Sequence, residues 1–261
     1  MSGQPEDRDS PDFAARLLAA REQGDFSPAF LAGELDLAKA LDLQLAVLQN
    51  QLASGRRVGG WKVGLTSEAS RIKLGADERP FGFVLADRVF ETGASIDSSV
   101  VQSLSIEAEM CFTVGADIDD PSIAPNEILD HMSGVSAGFE LNEARPGSVR
   151  PDFFAMVADC LTNWGIAAGP AGPPPAAHEL SATTITMARN GEQVFSGVSK
   201  DFVDDHTISL CRLVEQLARH GQGLIAGQKV ITGAFARFLT EPGDQWSATF
   251  ANIGTVQIDI T

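Results

Sequence analysis

The strictest constraint in this chain lies in the stretch LSIEAEMCFTV. There Leu104, Ile106, Ala108, Met110, Phe112 and Val114 alternate with Ser105, Glu107, Glu109, Cys111 and Thr113. A period of two is a strand's signature, and it puts Glu107 and Glu109 on one face. On a helix, two residues two apart point in different directions, so the carboxylates converge only if this segment is extended. Taken alone, an E-x-E pair is most simply the solvated face of an amphipathic strand. A second strand-like run, GFELNEAR, adds Glu140, which completes a three-carboxylate cluster if its strand pairs beside the first. Three such groups repel one another unless a cation joins them. Carboxylate oxygens suit Mg²⁺ or Mn²⁺ better than zinc and leave about three coordination positions on an octahedral ion.

The charge balance sharpens this reading. Thirty-five acidic and nineteen basic residues give a formal charge of −16, which opposes nucleic acid, anionic membrane surfaces and any anionic substrate not met by a local cation. No apolar run approaches the ~18 residues of a membrane span. The start, MSGQPEDRDSPDF, has neither a basic region nor an apolar signal core, so a cytoplasmic location is expected. Cys111, Cys160 and Cys211 are widely spaced and read as reduced thiols. His131, His178, His206 and His220 show no zinc-hydrolase spacing and read as packed or surface histidines.

Around this strand the pattern is helices, then strands, then one helix and more strands. Ser10-Pro11 offers a cap and first-turn proline, with Phe13, Leu17 and Leu18 as an apolar stripe and Gly24 at the exit. A longer helix is predicted from Asp36 to Ser54, closed by Gly55. TSEASRIKLG reads as a short helix, FGFVLADRVF as strand, and Asn190-Gly191 as a hairpin turn between alternating runs. TISLCRLVEQLARHG reads as a helix ending at Gly221, followed by the strands QKVIT, WSATF and TVQIDI. Clustered strands without regular helical crossovers indicate an α+β fold with a mixed sheet curled into a roll. The expected division is a helical N-terminal part over residues 1–60 and a β-roll catalytic core over 61–261, forming one compact unit.

Other residues have chemistry to offer. Lys62, in GWKVGLTS, lies where Trp61 and the glycines imply a closely packed backbone. Partly desolvated beside a dication, its ammonium is expected to have a lowered pKa and to meet a carboxylate or exchange protons, against the plainer reading of an exposed strand lysine. Thr162 and Asp159 either cap a turn or line the site, and Thr232-Gly233 either closes a strand or presents a hydroxyl and an N–H to a carboxylate. Arg145 serves equally well as an orienting group for Glu143 or Asp159 and as a catalytic one.

GWKVGLTSEA, IEAEMCF, FELNEAR and KVITG occur in an order and spacing that resembles the 2-keto-4-pentenoate hydratase and 4-oxalocrotonate decarboxylase family, within the fumarylacetoacetate-hydrolase-like superfamily, from about residue 36 to 260. The resemblance implies a mixed β-roll with flanking helices, homo-oligomeric assembly, Glu107, Glu109 and Glu140 as ligands of Mg²⁺ or Mn²⁺, and Lys62 as the acid/base or carboxylate-binding group. It also implies Thr162 and Thr232 as substrate contacts, with Phe81 of ERPFG as a further one. Cys160-Leu161 and Glu143-Ala144 depart from the family's usual residues, which bears on substrate identity. The implied activity is a lyase of aromatic catabolism that hydrates a 2-hydroxy-2,4-dienoate. The alternatives are a decarboxylase of 2-oxo-3-enedioates, for which Arg79 is a candidate second cation if it points inward, and a non-catalytic partner of a pathway enzyme. Carbon–carbon hydrolases of the superfamily use a histidine in an N-terminal segment, and no histidine precedes His131.

Overall fold

The computed structural model describes residues 11–261. The predicted Ser10 cap and the side chain of Phe13 lie outside the described residues. Helix α1 (Pro11–Glu22) ends before Gly24, whose φ of +82° suits a helix exit. Helix α2 (Leu37–Ala53) begins where the Asp36 carboxylate accepts from the Lys39 N–H, and buries Ala40, Leu41, Leu43, Val47 and Leu48. The buried amide of Gln44 donates to the carbonyls of Phe81 (2.9 Å) and Val157 (2.6 Å), tying α2 to the chain segments beyond it.

Strand β1 (Val58–Val63) leads through the short helix α3 (Glu68–Leu74) to β2 (Phe81–Leu85), β3 (Val89–Glu91) and β4 (Ala94–Ile96). The alternating segment is β5 (Ser105–Val114), and the Glu140 segment ends the long strand β6 (Met132–Asn142). Helix α4 (Phe153–Ala158), β7 (Asn163–Ala168), α5 (Ala177–Ala182), β8 (Thr184–Arg189) and β9 (Glu192–Val198) follow. Then come α6 (His206–Arg219), β10 (Lys229–Leu239), β11 (Gln245–Phe250) and β12 (Gly254–Ile260). Asn190 and Gly191 join β8 to β9 with both residues left-handed, as the hairpin signal predicts. No helix among the described residues is long and apolar enough to cross a membrane.

The strands form two sheets, in the orders β2-β1-β10-β5-β6-β7-β3 and β4-β12-β11-β8-β9. Parallel pairs (β1 with β10, β3 with β7, β4 with β12) and antiparallel pairs coexist, so the fold is the expected α+β mixed roll. The second sheet packs against β6, and β2 approaches β7, curling the larger sheet. That curl decides what the strand faces meet. Ile106, Ala108, Met110 and Phe112 join the main core, while Cys111 joins Val84, Ile166, Ala168 and Ile231 in a smaller apolar cluster inside the roll. The polar face of β5 therefore points into the roll and not into solvent.

Candidate metal centre

Register brings the carboxylates together. β5 and β6 pair antiparallel with Glu107 opposite Glu140 and Glu109 opposite Gly138, and paired residues share a face. One oxygen from each of Glu107, Glu109 and Glu140 lies within 4.8 Å of the others. Glu109 and Glu140 are 3% and 1% exposed, and the Glu107 side chain 16%. Lys62 comes from β1, separated from β6 by β10 and β5. Three inter-strand steps span roughly 14 Å in a flat sheet, yet Lys62 Nζ lies 2.8 Å from Glu140 Oε1, so the curl is what brings them into contact.

Each carboxylate also receives a fixed N–H donor. Asn142 Nδ2 donates to Glu107 Oε2 (3.2 Å), Asn163 Nδ2 to Glu140 Oε1 (2.8 Å), and the Gly233 N–H to Glu109 Oε2 (2.7 Å). The Thr162 hydroxyl donates to Asn142 Oδ1 (3.0 Å), which fixes that amide with its NH₂ toward Glu107. A turn at Cys160–Thr162 covers this corner, and its three residues all have positive φ (55°, 53° and 67°). Left-handed backbone is costly for side-chain-bearing residues and persists only where the surroundings enforce it. Here it brings the Leu161 carbonyl 3.4 Å from Lys62 Nζ. Gly82 admits the turn, since a Cβ there would stand 2.9 Å from the Cys160 carbonyl oxygen.

The electrostatics follow from burial and proximity. Burial, then the neighbouring charge of Glu140, pushes Glu107 up to about 7, and burial, then the charges of Glu140 and Glu107, holds Glu109 well above its ordinary value. Burial acts on Glu140 in the same direction, but the Lys62 ammonium outweighs it and keeps that carboxyl below its ordinary value. Burial also works against a charged Lys62, yet the field of Glu140, Glu107 and Glu109 prevails and raises it. This differs from the lowered lysine expected beside a dication, because a cation among these carboxylates cancels the field that holds the lysine's proton. Three converging hard oxygens, whose mutual repulsion and burial favour the protonated form of Glu107 and Glu109, are a donor set suited to a divalent oxygen-loving cation.

The remaining candidates divide. Thr162 sits beside the cluster through Asn142. Phe81 does not reach it: Lys62 pairs with Gly82, so the neighbouring Phe81 projects from the other face of β2 and packs edge-on against Trp61 (5.7 Å). Thr232 likewise faces the main core, opposite to Ile231, and its hydroxyl is bonded to His206 Nδ1 (2.7 Å), whose other nitrogen bonds Ser199 (2.8 Å). Burial lowers His206 to about 4, so it stays neutral inside the core. The segment's contribution at the cluster is the Gly233 N–H. Arg145 takes the orienting role, bonded to Glu143 (2.8 Å) and Asp159 (2.6 Å). Arg79 turns toward Asp204 (3.4 Å).

Sequence reasoning missed Asn142, Asn163 and Arg237. Asn142 lies two residues after Glu140, so the period that found the glutamates could have found it. Asn163 follows a left-handed turn that leaves no periodic trace. Arg237 stands opposite Glu107 in the β10 register, with its Nη1 4.0 Å from Glu107 Oε1.

Residues 62–261 match the family described as fumarylacetoacetate (FAA) hydrolase C-terminal. The chain is 27% identical to 2-keto-4-pentenoate hydratase of Paraburkholderia xenovorans (strain LB400), over 87% of this chain and 84% of that one. It is 26% identical to 4-oxalocrotonate decarboxylase of Pseudomonas sp. (strain CF600), over 85% of each. The fold is similar to that of 4-oxalocrotonate decarboxylase from Pseudomonas putida G7, solved in complex with magnesium and adipate, with a TM-score of 0.84, 23% identity and 96% of both chains covered. With a match across most of its length and the same fold, the chain belongs to the fumarylacetoacetate hydrolase family.

Proposed function

We propose that the protein is a divalent-metal-dependent lyase that hydrates a 2-hydroxy-2,4-dienoate, by way of its 2-oxo-3-enoate tautomer, to a 4-hydroxy-2-oxo acid in the breakdown of aromatic or cyclic compounds. The observation that carries this reading is the convergence of Glu107, Glu109 and Glu140 with the Lys62 ammonium bonded to one of them. These three glutamates would hold Mg²⁺ or Mn²⁺, which, when bound, supplies positive charge for a chelating C1 carboxylate and C2 oxygen. Asn142, Asn163 and Gly233 keep the glutamate oxygens aimed. Lys62 holds a proton at Nζ, oriented by Glu140 and the Leu161 carbonyl, and is the group placed to move it as the dienol ketonises. Water would then add at C4 of the ketonised 2-oxo-3-enoate.

A second reading is supported by the curated decarboxylase among the relatives: loss of CO₂ from a 2-oxo-3-enedioate draws on the same chelation and the same lysine. Incubation of the Mg²⁺- or Mn²⁺-loaded protein with both substrate types separates them. Loss of dienoate absorbance without CO₂ is the expected result. CO₂ release from the enedioate would make decarboxylation the function, and turnover of neither would sink both. Self-association, implied by the family resemblance, is part of the proposal, and sedimentation measures it.

A further inference from the structure

A 2-oxo acid held head-first by the carboxylate cluster needs a direction in which to lay its tail. Beneath the cluster, Cys111, Ile166, Ala168, Val84 and Ile231 fill the roll. On another side, Lys62 and the Cys160–Thr162 turn close over it. The same face continues outward along β5 and β10, where the register sets Ala234 opposite Glu109, Arg237 opposite Glu107 and Leu239 opposite Ser105. Exposure grows along that path, from a half-buried Ala234 to Arg237 with its side chain 48% exposed and Leu239 at 71%.

Arg237 is anchored by a hydrogen bond and paired only at long range with Glu107. Its Nε donates to the Ser105 hydroxyl (2.9 Å), while its Nη1 stands 4.0 Å from Glu107, beyond hydrogen-bond distance. Arg145, Arg21 and Arg79 are committed elsewhere: Arg145 to Glu143 and Asp159, Arg21 to Asp159, and Arg79 to Asp204. A chain of charge −16 repels a dianion unless a cation meets each end. One end has the glutamate-held cation and Lys62, and the outward path offers Arg237 for the other, with Ala234 and Leu239 as apolar surface along the way.

We infer that Arg237 binds a second carboxylate at the far end of the substrate, and that the substrate is accordingly a 2-oxo or 2-hydroxydienoic dicarboxylic acid. This rests on the reading of Glu107, Glu109 and Glu140 as the chelating end, and it applies to hydration and decarboxylation alike.

The test compares two saturated six-carbon acids of equal length, 2-oxohexanoate and 2-oxohexanedioate, for binding to the Mn²⁺-loaded protein, read by water-proton relaxation. The wild-type chain should bind the dicarboxylate about tenfold more tightly or better, as one charge-assisted contact allows. In Arg237→Gln the ratio should fall to about one, and Arg237→Lys should keep part of it, since the charge remains and the fork is lost. Added salt should weaken the dicarboxylate's advantage in the wild type. A ratio that survives Arg237→Gln, or a wild type that binds both acids equally, overturns the inference and leaves the metal-site reading standing. Failure of both acids to bind the Mn²⁺-loaded wild type removes that reading, and the inference with it.

Discussion

At the scale of residues, the site is a set of buried carboxylates whose orientation is fixed by neutral donors. Removing such a donor around a metal ligand typically costs 10- to 100-fold in affinity, so Asn163→Ala and Asn142→Ala should each weaken Mn²⁺ binding by about that much, measured by calorimetric titration. Unchanged affinity in both would show that the amides do not support the ligands. Glu107 and Glu109 also make a pH prediction. Their folded pKa values lie above the unfolded ones, from 4.5 to about 7 for Glu107, so between those values the folded state binds more protons than the unfolded state. The stability Glu107 contributes is present below about 4.5 and is lost as pH rises through about 7, and Glu109 acts in the same direction. A divalent cation takes the place of those protons, so the increase in melting temperature on adding Mg²⁺ should grow from pH 5 to pH 8. An increase that shrinks with pH would contradict the assignment. Glu107 and Glu109 were legible from the period of β5 alone. Glu140 needed the register, and Asn163 needed the left-handed turn that places it. Phe81 went astray because the sequence shows which residues neighbour the site but not which face of β2 each one takes.

At the scale of elements, the long strand β6 and the turn at Cys160–Thr162 were the hardest to read. β6 contains Ser133, Gly134, Ser136 and Gly138, residues of low strand propensity. Tertiary packing demands the small ones: a Cβ on Gly138 would stand 2.9 Å from that of Cys111, and one on Gly134 2.9 Å from that of Ala171. Helices α2 and α6 and the β8–β9 hairpin, by contrast, carry local signals in their periodicity, caps and turn residues, and were legible. The turn makes a prediction of its own through Gly82. In Gly82→Ala the new methyl meets the Cys160 carbonyl at 2.9 Å and Lys62 Cγ at 3.2 Å, an overpacking that costs about 1–3 kcal/mol. The Leu161 carbonyl and Lys62 should separate, so kcat should fall more than KM rises. Denaturant unfolding and steady-state kinetics check both parts, and a variant of wild-type stability and kcat would show that the close approach is unimportant.

At the scale of the whole molecule, the curl of the larger sheet sets Lys62 of β1 against Glu140 of β6. The helical N-terminal part is joined to the roll by the Gln44 amide, which bonds the carbonyls of Phe81 and Val157. We propose that the described helical N-terminal part and the roll unfold as one cooperative unit. Gln44→Leu leaves two buried carbonyls short of a donor and should cost about 2–4 kcal/mol in a single transition; two separated transitions in the wild type would show independent parts. The mixed α+β roll was legible from the clustering of strands, whereas the fact that it encloses the polar face of β5 was not, since that depends on contacts between strands far apart in sequence. The central claim is that Glu107, Glu109 and Glu140 hold one divalent cation. The most direct measurement is a Mn²⁺ titration of chelator-treated protein, followed by electron paramagnetic resonance, in the wild type and in Glu109→Gln, with circular dichroism confirming that the variant is folded. One bound ion per chain that is lost in the folded variant is the predicted result, and equal binding by the two proteins would contradict it.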